Sequence, residues 1–263
     1  GICAKVCPFG AIKMEDEKKV TSEKEQLKSE ENKEVKKEDI KETIDLLMQY
    51  SKEHGFPFQM HLVTPEQFEL LEEIYPEKFT ISYDRDMADY IYETEKLANL
   101  PGRKYHGKKN HINKFKRMYP DWSYETLSEQ NVEECFQMAL EWRSQNGCND
   151  HEEKNAEMCV ALNSLRLFRE LHLIGGVLRA GGRVVAFCMG EPACDDTMVV
   201  HIEKALADVE GAYPMINQQF VLHEADKYLY INREDDAGEE GLRQAKLSYR
   251  PAILLEKGRV TER

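Results

Sequence analysis

Apolar positions recur along this chain with two periods, and each change of period marks an element. From Ile40, residues Ile44, Leu47 and Met48 repeat at helical spacing until Gly55. Phe58–Val63 reads as a short strand. Thr64 is placed to cap a helix, with Pro65 at its first position and Phe68, Leu71 and Ile74 on one face. Phe79–Tyr83 and Ala88–Tyr92 read as strands around a turn at Asp84-Arg85-Asp86. Two longer helices follow, from about Ser128 to Gly147 and from about Glu152 to His172. The first turns Val132, Phe136, Ala139 and Leu140 inward, and the second Met158, Leu162, Leu165 and Phe168. Ile174–Ala180, Arg183–Gly190 and Met198–Lys204 are apolar runs of strand length. Gly181-Gly182 makes the first two a hairpin. Gly211 to Asp226 reads as a helix with Pro214 in its first turn.

The pattern becomes unusual in Tyr228–Pro251. A strand over Tyr228–Ile231 breaks at the polar knot Asn232-Arg233-Glu234-Asp235-Asp236, and Ala237-Gly238 turn the chain. Leu242, Ala245 and Lys246 then share one helix face, and Ala252–Leu255 is a closing strand. A strand end that presents Asn232, Arg233, Asp235 and Asp236 beside a helix bearing Arg243 and Lys246 is a candidate site; a salt-bridged turn would use the same residues. Elsewhere, Trp122 and Trp142 read as core, His201 and His223 as structural, and Glu203 and Lys204 as a pair across the sheet.

Charge adds a second candidate. The 263 residues carry a formal charge of −13, which opposes nucleic-acid binding by the whole surface. Yet seven of the fifteen residues from Arg103 to Arg117 are Lys or Arg, and no acidic residue lies between Leu97 and Tyr119. Tyr105, Ile112 and Phe115 are interleaved as anchors. Arg103, Lys104, Lys108, Lys109, Asn110 and Lys114 are candidates to hold an RNA backbone, or to neutralise the protein's own acidic loops. His106 and His111 have no evident third ligand, so no metal is expected. There is no apolar run of eighteen residues and no signal-peptide pattern. Seven cysteines, an odd number, suit reduced thiols and a cytoplasmic setting, with Cys188 and Cys194 as buried thiols rather than nucleophiles.

The N-terminal region differs again. Cys3-x-x-x-Cys7-Pro8, followed by Phe9-Gly10-Ala11-Ile12, resembles the end of a bacterial ferredoxin cluster motif. Two thiolates cannot hold a four-iron cluster, so an iron–sulfur centre is expected only if a longer parent chain supplies the rest. Glu15–Glu42 holds eleven acidic and eight basic residues with few apolar ones, and reads as a linker.

The order helix, helix, three antiparallel strands, helix, strand, helix, strand is similar to the core of the GNAT acyltransferase fold. The implied class is α+β, a mainly antiparallel sheet flanked by helices. A coenzyme A enzyme of that fold needs a glycine-rich pyrophosphate loop, whereas this chain has Glu203–Gly211 with Asp208 and Glu210. Coenzyme A is therefore not expected. Three blocks, Ala88–Phe115, His201–Asn217 and the Tyr228–Pro251 stretch, resemble the phosphatidylglycerol lysyltransferase C-terminal domain family, bacterial proteins expected to hold two GNAT-like units in tandem. The implied division is 1–14, a linker at 15–39, a partial first unit at 40–100 and a second at 101–263. The family is similar in turn to Fem peptidyltransferases, which transfer an amino acid from aminoacyl-tRNA to an amine, and the activity this implies is transfer to a lipid, peptide or protein acceptor. Carried over, that resemblance places Lys246 at the acyl oxyanion and Asp235 or Asp236 as proton acceptor. It gives phosphate or carboxylate to Arg233 and Arg243, and the tRNA acceptor end to the basic strip. No cofactor is required. A GNAT-fold module that binds RNA without chemistry and a coenzyme A-dependent acetyltransferase are the alternatives.

Overall fold

The structure is a computed structural model that describes residues 36–147 and 152–263. The ferredoxin-like motif and all but the last residues of the expected linker lie outside the described residues. The chain divides into two compact units, one holding residues 36–84 with Lys257–Arg263 and the other Arg85–Glu256.

The smaller unit starts with helix α1 (Lys37–His54), three residues earlier than the apolar spacing placed it. Strand β1 (Gln59–Val63) leads to α2 (Pro65–Ile74), whose start is a reciprocal cap. Thr64 Oγ1 accepts from the Gln67 amide at 3.3 Å, and Gln67 Oε1 accepts from the Thr64 amide at 3.0 Å. β2 (Phe79–Tyr83) pairs antiparallel with the last strand of the chain, β10 (Gly258–Glu262), which also pairs with β1. Ile44, Phe58, Leu71, Tyr75, Phe79 and Val260 fill its core.

The larger unit opens with a 3-10 turn at Arg85–Met87, where the sequence suggested a simple turn, and strand β3 (Asp89–Glu93). It continues through α3 (Thr94–Asn99), a 3-10 turn (Arg103–Tyr105), α4 (His106–Met118), β4 (Ser123–Thr126), α5 (Val132–Gln145) and α6 (Glu152–Arg166). After β5 (Ile174–Ala180), β6 (Arg183–Pro192) and β7 (Thr197–Ala205) come α7 (Ala212–Glu224), β8 (Tyr230–Asn232), α8 (Glu240–Leu247) and β9 (Ile253–Leu255). The seven strands lie in the order β4-β5-β6-β7-β8-β3-β9. α7 packs on β5, β6 and β7 with α3 and α4 against it; α5 packs on β6 and β7 and carries α6. Both faces of the central strands are thus covered, which is why β6 is apolar almost without interruption. This order is the GNAT-like α+β architecture that the sequence suggested.

Every neighbouring pair in this sheet is antiparallel except β7 and β8. These two run parallel and pair only through Thr197–Val199 and Tyr230–Asn232. β7 then continues to Ala205 while the other chain leaves the sheet at Arg233, so the strands part. The expected boundary near residue 100 moves to Arg85, because β3 pairs with β8 and β9 and belongs to the larger sheet. Two extents also change: the strand begins at Tyr230 rather than Tyr228, and the second long helix ends at Arg166 rather than His172. Among the described residues, no helix is long and apolar enough to cross a membrane.

Candidate functional site

The polar knot after β8 is locked from within. Asp236 is fully buried and accepts from Arg243 through Nε at 2.9 Å and Nη2 at 2.7 Å, from the Gly238 amide at 3.0 Å and from the Tyr90 hydroxyl. The Arg243 bonds come first among the causes that hold its carboxyl well below the usual range. Arg243 also donates to Asp86 at 2.6 Å, and Arg85 donates to Tyr90 at 2.9 Å. Asn232 donates to Asp89 at 2.9 Å and accepts from the Glu234 amide at 2.8 Å. These bonds hold Glu234 (φ 56°) and Ala237 (φ 49°) in the left-handed region, which non-glycine residues rarely adopt.

Lys246 closes the same loop. Its ammonium donates to the carbonyls of Arg233 at 2.6 Å, Glu234 at 3.2 Å and Asp235. All three N–H donors are thereby committed to backbone. Burial, and then the neighbouring Arg233 cation, push its pKa down to about 8. The roles suggested by resemblance therefore change. Lys246 supports the loop rather than an oxyanion, and Asp236 is a saturated acceptor rather than a base. Arg243 and Asn232 already have protein partners. The Asp235 side chain is half-buried in the same loop. His201 is structural as expected, bridging Glu191 and Glu234 at 3.1 Å each.

A second cluster lies where β7 and β8 part. Arg233 leaves the strand pair with its side chain 11% exposed and donates through Nη2 to Glu203 Oε1 at 2.9 Å. Asn217 of α7 donates to the other oxygen, Oε2, at 3.0 Å. The carboxylate accepts only, so it fixes the amide with its nitrogen toward Glu203 and Oδ1 turned away. Arg233 Nη1 and Asn217 Oδ1 are buried with no hydrogen-bond partner, a donor and an acceptor left open beside one carboxylate. Tyr249 provides the floor: the guanidinium carbon of Arg233 lies 5.0 Å from its ring centre and Lys108 Nζ lies 4.0 Å away. Burial first, then Arg233, lower the pKa of Lys108, and Glu203 opposes the shift. Tyr92 stands edge-on to Tyr249 and donates to the Lys246 carbonyl at 2.8 Å, tying this cluster to the locked loop.

Of the expected residues, Arg233 and Lys108 meet here; Glu203, Asn217, Tyr92 and Tyr249 join them. Glu203 and Lys204 do not pair, since adjacent strand residues face opposite ways. Lys204 reaches Glu157 and lies 4.2 Å from the Trp142 ring centre on the far face. Glu203 stands on the half-buried face of β7 with Thr197, Val199 and His201, and its one early signal was a carboxylate within an apolar run of strand length.

Helix α4 turns Lys108 inward and leaves Lys109 and Asn110 exposed, with Arg103 and Lys104 exposed just before it. Lys114 pairs with Glu210. The same helix packs tightly against the start of α7. Gly211 (φ 85°), the residue before α7, sits so close to α4 that a Cβ there would lie 2.6 Å from the His111 carbonyl oxygen. Asp208 pairs with Arg183 nearby. Cys188 is buried, as expected, whereas Cys194 is exposed and donates to Asp196 at 3.2 Å. Among the described residues, no group of three or more His, Cys, Asp or Glu is arranged to hold a metal.

The chain has relatives. The sequence profile of the family described as "Phosphatidylglycerol lysyltransferase, C-terminal" matches residues 35–257. A conserved protein of unknown function from Bacteroides thetaiotaomicron superposes with a TM-score of 0.82 at 40% identity, over 86% of this chain and 76% of that one. The structure of L-PGS from Bacillus licheniformis shares the fold, with a TM-score of 0.58 at 13% identity over 83% of this chain and 71% of its own. An uncharacterised protein from Mycoplasmoides gallisepticum is 23% identical over 172 residues, 65% of this chain. The chain spans 54% of the length of that relative.

Proposed function

The chain belongs to the phosphatidylglycerol lysyltransferase C-terminal domain family, and from that premise we propose that it transfers an aminoacyl group from aminoacyl-tRNA to an amine-bearing acceptor. The family and the fold support an acyltransferase type of chemistry. The observation that favours an aminoacyl ester as donor is the pair of open groups beside Glu203. Arg233 Nη1 offers a donor to an acyl oxygen, and Asn217 Oδ1 offers an acceptor to an α-ammonium. In the transfer, the acceptor nitrogen bonds to the acyl carbon and the ester C–O bond breaks. The amine proton passes to the ribose oxygen that leaves. An ester donor is already activated, so no covalent enzyme intermediate is required.

Each residue then has a physical task. Arg233 stabilises charge developing on the acyl oxygen, with preorganised donors of this kind worth about 2.7–4 kcal/mol. Lys108, with a lowered pKa, reaches its neutral amine form more readily than an exposed lysine and relays the proton. Lys246, Asp236 and Arg243 hold Arg233 in place. Arg103, Lys104 and Lys109 attract the RNA backbone.

The test separates the basic strip from the open pair beside Glu203. Binding of total aminoacylated tRNA and of deacylated tRNA is measured against salt concentration. Lys104→Ala/Lys109→Ala weakens both RNAs equally and flattens the salt dependence. Asn217→Leu, which removes the open acceptor, abolishes the preference for charged tRNA and leaves the salt dependence unchanged. Equal binding of both RNAs by the wild type overturns the transferase reading and leaves an RNA-binding module.

A further inference from the structure

A cavity of about 470 Å³ opens at the other end of β8, where the strand starts rather than where it meets the locked loop. Glu93, Thr94 and Glu95 line it from the end of β3 and the start of α3; Asp226 and Tyr228 line it from the segment between α7 and β8, and Tyr230 from the first position of β8. Its size suits a small molecule. Three of these residues are carboxylates. Lys96 holds Glu93 at 2.7 Å, while no ion pair involves Glu95 or Asp226 among the described residues. Thr94, which lines the cavity, is 6% exposed, and its hydroxyl oxygen is buried with no hydrogen-bond partner. A native structure seldom leaves such a group unanswered.

We propose that this cavity is a binding site for a small aliphatic amine in its protonated form. The ammonium is held by Glu95 and Asp226 with the Thr94 hydroxyl as a third acceptor, and the alkyl stem lies against Tyr228 and Tyr230. An ammonium provides N–H donors to charged and neutral oxygen acceptors alike. A carboxylate or phosphate ligand is disfavoured by the acidic lining. The site is separate from the Arg233 cluster, and its existence does not depend on the transferase reading.

The test is calorimetric titration of the full chain with putrescine in low salt, with 1,4-butanediol as the neutral analogue of the same length. Putrescine binds saturably and butanediol does not. Asp226→Asn and Glu95→Gln each weaken putrescine about tenfold, the size of one hydrogen bond to a charged group. Thr94→Val weakens it severalfold while raising the melting temperature of the unliganded protein, because the buried unpaired hydroxyl is gone. Glu133→Gln, a charge change on exposed α5, leaves binding as it was. Butanediol binding as tightly as putrescine would sink the proposal. So would an Asp226→Asn/Glu95→Gln variant that binds like the wild type, or an equal loss in Glu133→Gln.

Discussion

The lock around Asp236 makes a sharp prediction. Asp236→Asn preserves shape and removes one charge. One carboxylate oxygen accepts Arg243 Nη2 and the Gly238 amide, and the other accepts Arg243 Nε and the Tyr90 hydroxyl. Whichever oxygen becomes an NH2 group therefore faces an Arg243 donor, and no amide orientation satisfies the site. Breaking a buried pair on one side costs about 3–5 kcal/mol. Arg243 keeps Asp86 and is 24% exposed, so the lower end applies, about 3 kcal/mol. With a urea m-value of about 3 kcal/mol per molar, the midpoint for the larger unit falls by about 1 M. The pH dependence has a definite sign. The folded pKa of Asp236 lies below its ordinary value, so its stabilisation is complete above about pH 5 and is lost as pH falls through the folded pKa. The wild type and the variant should therefore converge in acid. A midpoint within 0.2 M of wild type at pH 7, on the order of the uncertainty of such fits, would refute the reasoning, as would a gap that does not narrow at low pH.

Other outcomes follow from the same geometry. Lys246→Met leaves three carbonyls around an apolar side chain; protease cleavage after Arg233 should become readily detectable, whereas the wild-type loop resists. His201 is pushed down by burial but lifted more by Glu234 and Glu191, so its pKa is raised overall. The stabilisation it brings is full below about pH 6.5 and fades as pH rises through the folded pKa. His201→Gln should accordingly lower the melting temperature at pH 5.5 more than at pH 8.5. Gly211→Ala combines a left-handed φ with a clash against the His111 carbonyl and should cost about 2 kcal/mol or more by denaturant titration. Thiol labelling of the native protein, read by mass spectrometry, should modify Cys159 and Cys194 and spare Cys135 and Cys188. Cys135 is pushed up to about 12 by burial.

Much of the fold was legible because its strands alternate or run apolar and its turns are marked. Gly181-Gly182 and the Thr64 cap are local signals with local causes. β4 and β10 escaped because four- and five-residue strands with mixed faces leave no period to detect. β10 moreover pairs with strands near residues 60 and 80, a partnership that no local pattern encodes. The candidate site was legible in location but not in roles. A knot of charge announced itself, yet which members neutralise each other depends on Tyr90 and Asp86, distant in sequence. On α4, Lys108 and Lys109 differ only by the 100° turn between successive helical residues, and it is the buried pair Ile112 and Phe115, four and seven residues after Lys108, that sets which lysine faces in.

The convergence of three carbonyls on Lys246 also determines what the loop shows to its surroundings. A trans peptide directs its N–H opposite to its C=O, and the described chain contains no cis bond. With the oxygens of 233, 234 and 235 turned onto one ammonium, the amide hydrogens of 234, 235 and 236 point away from it. Asn232 receives the first. The segment is therefore polarised like a small bowl, with negative poles inside and positive poles outside. The most acidic stretch of the knot by composition thus points the positive ends of its peptide dipoles away from Lys246, so that its backbone offsets part of the negative charge its own side chains carry.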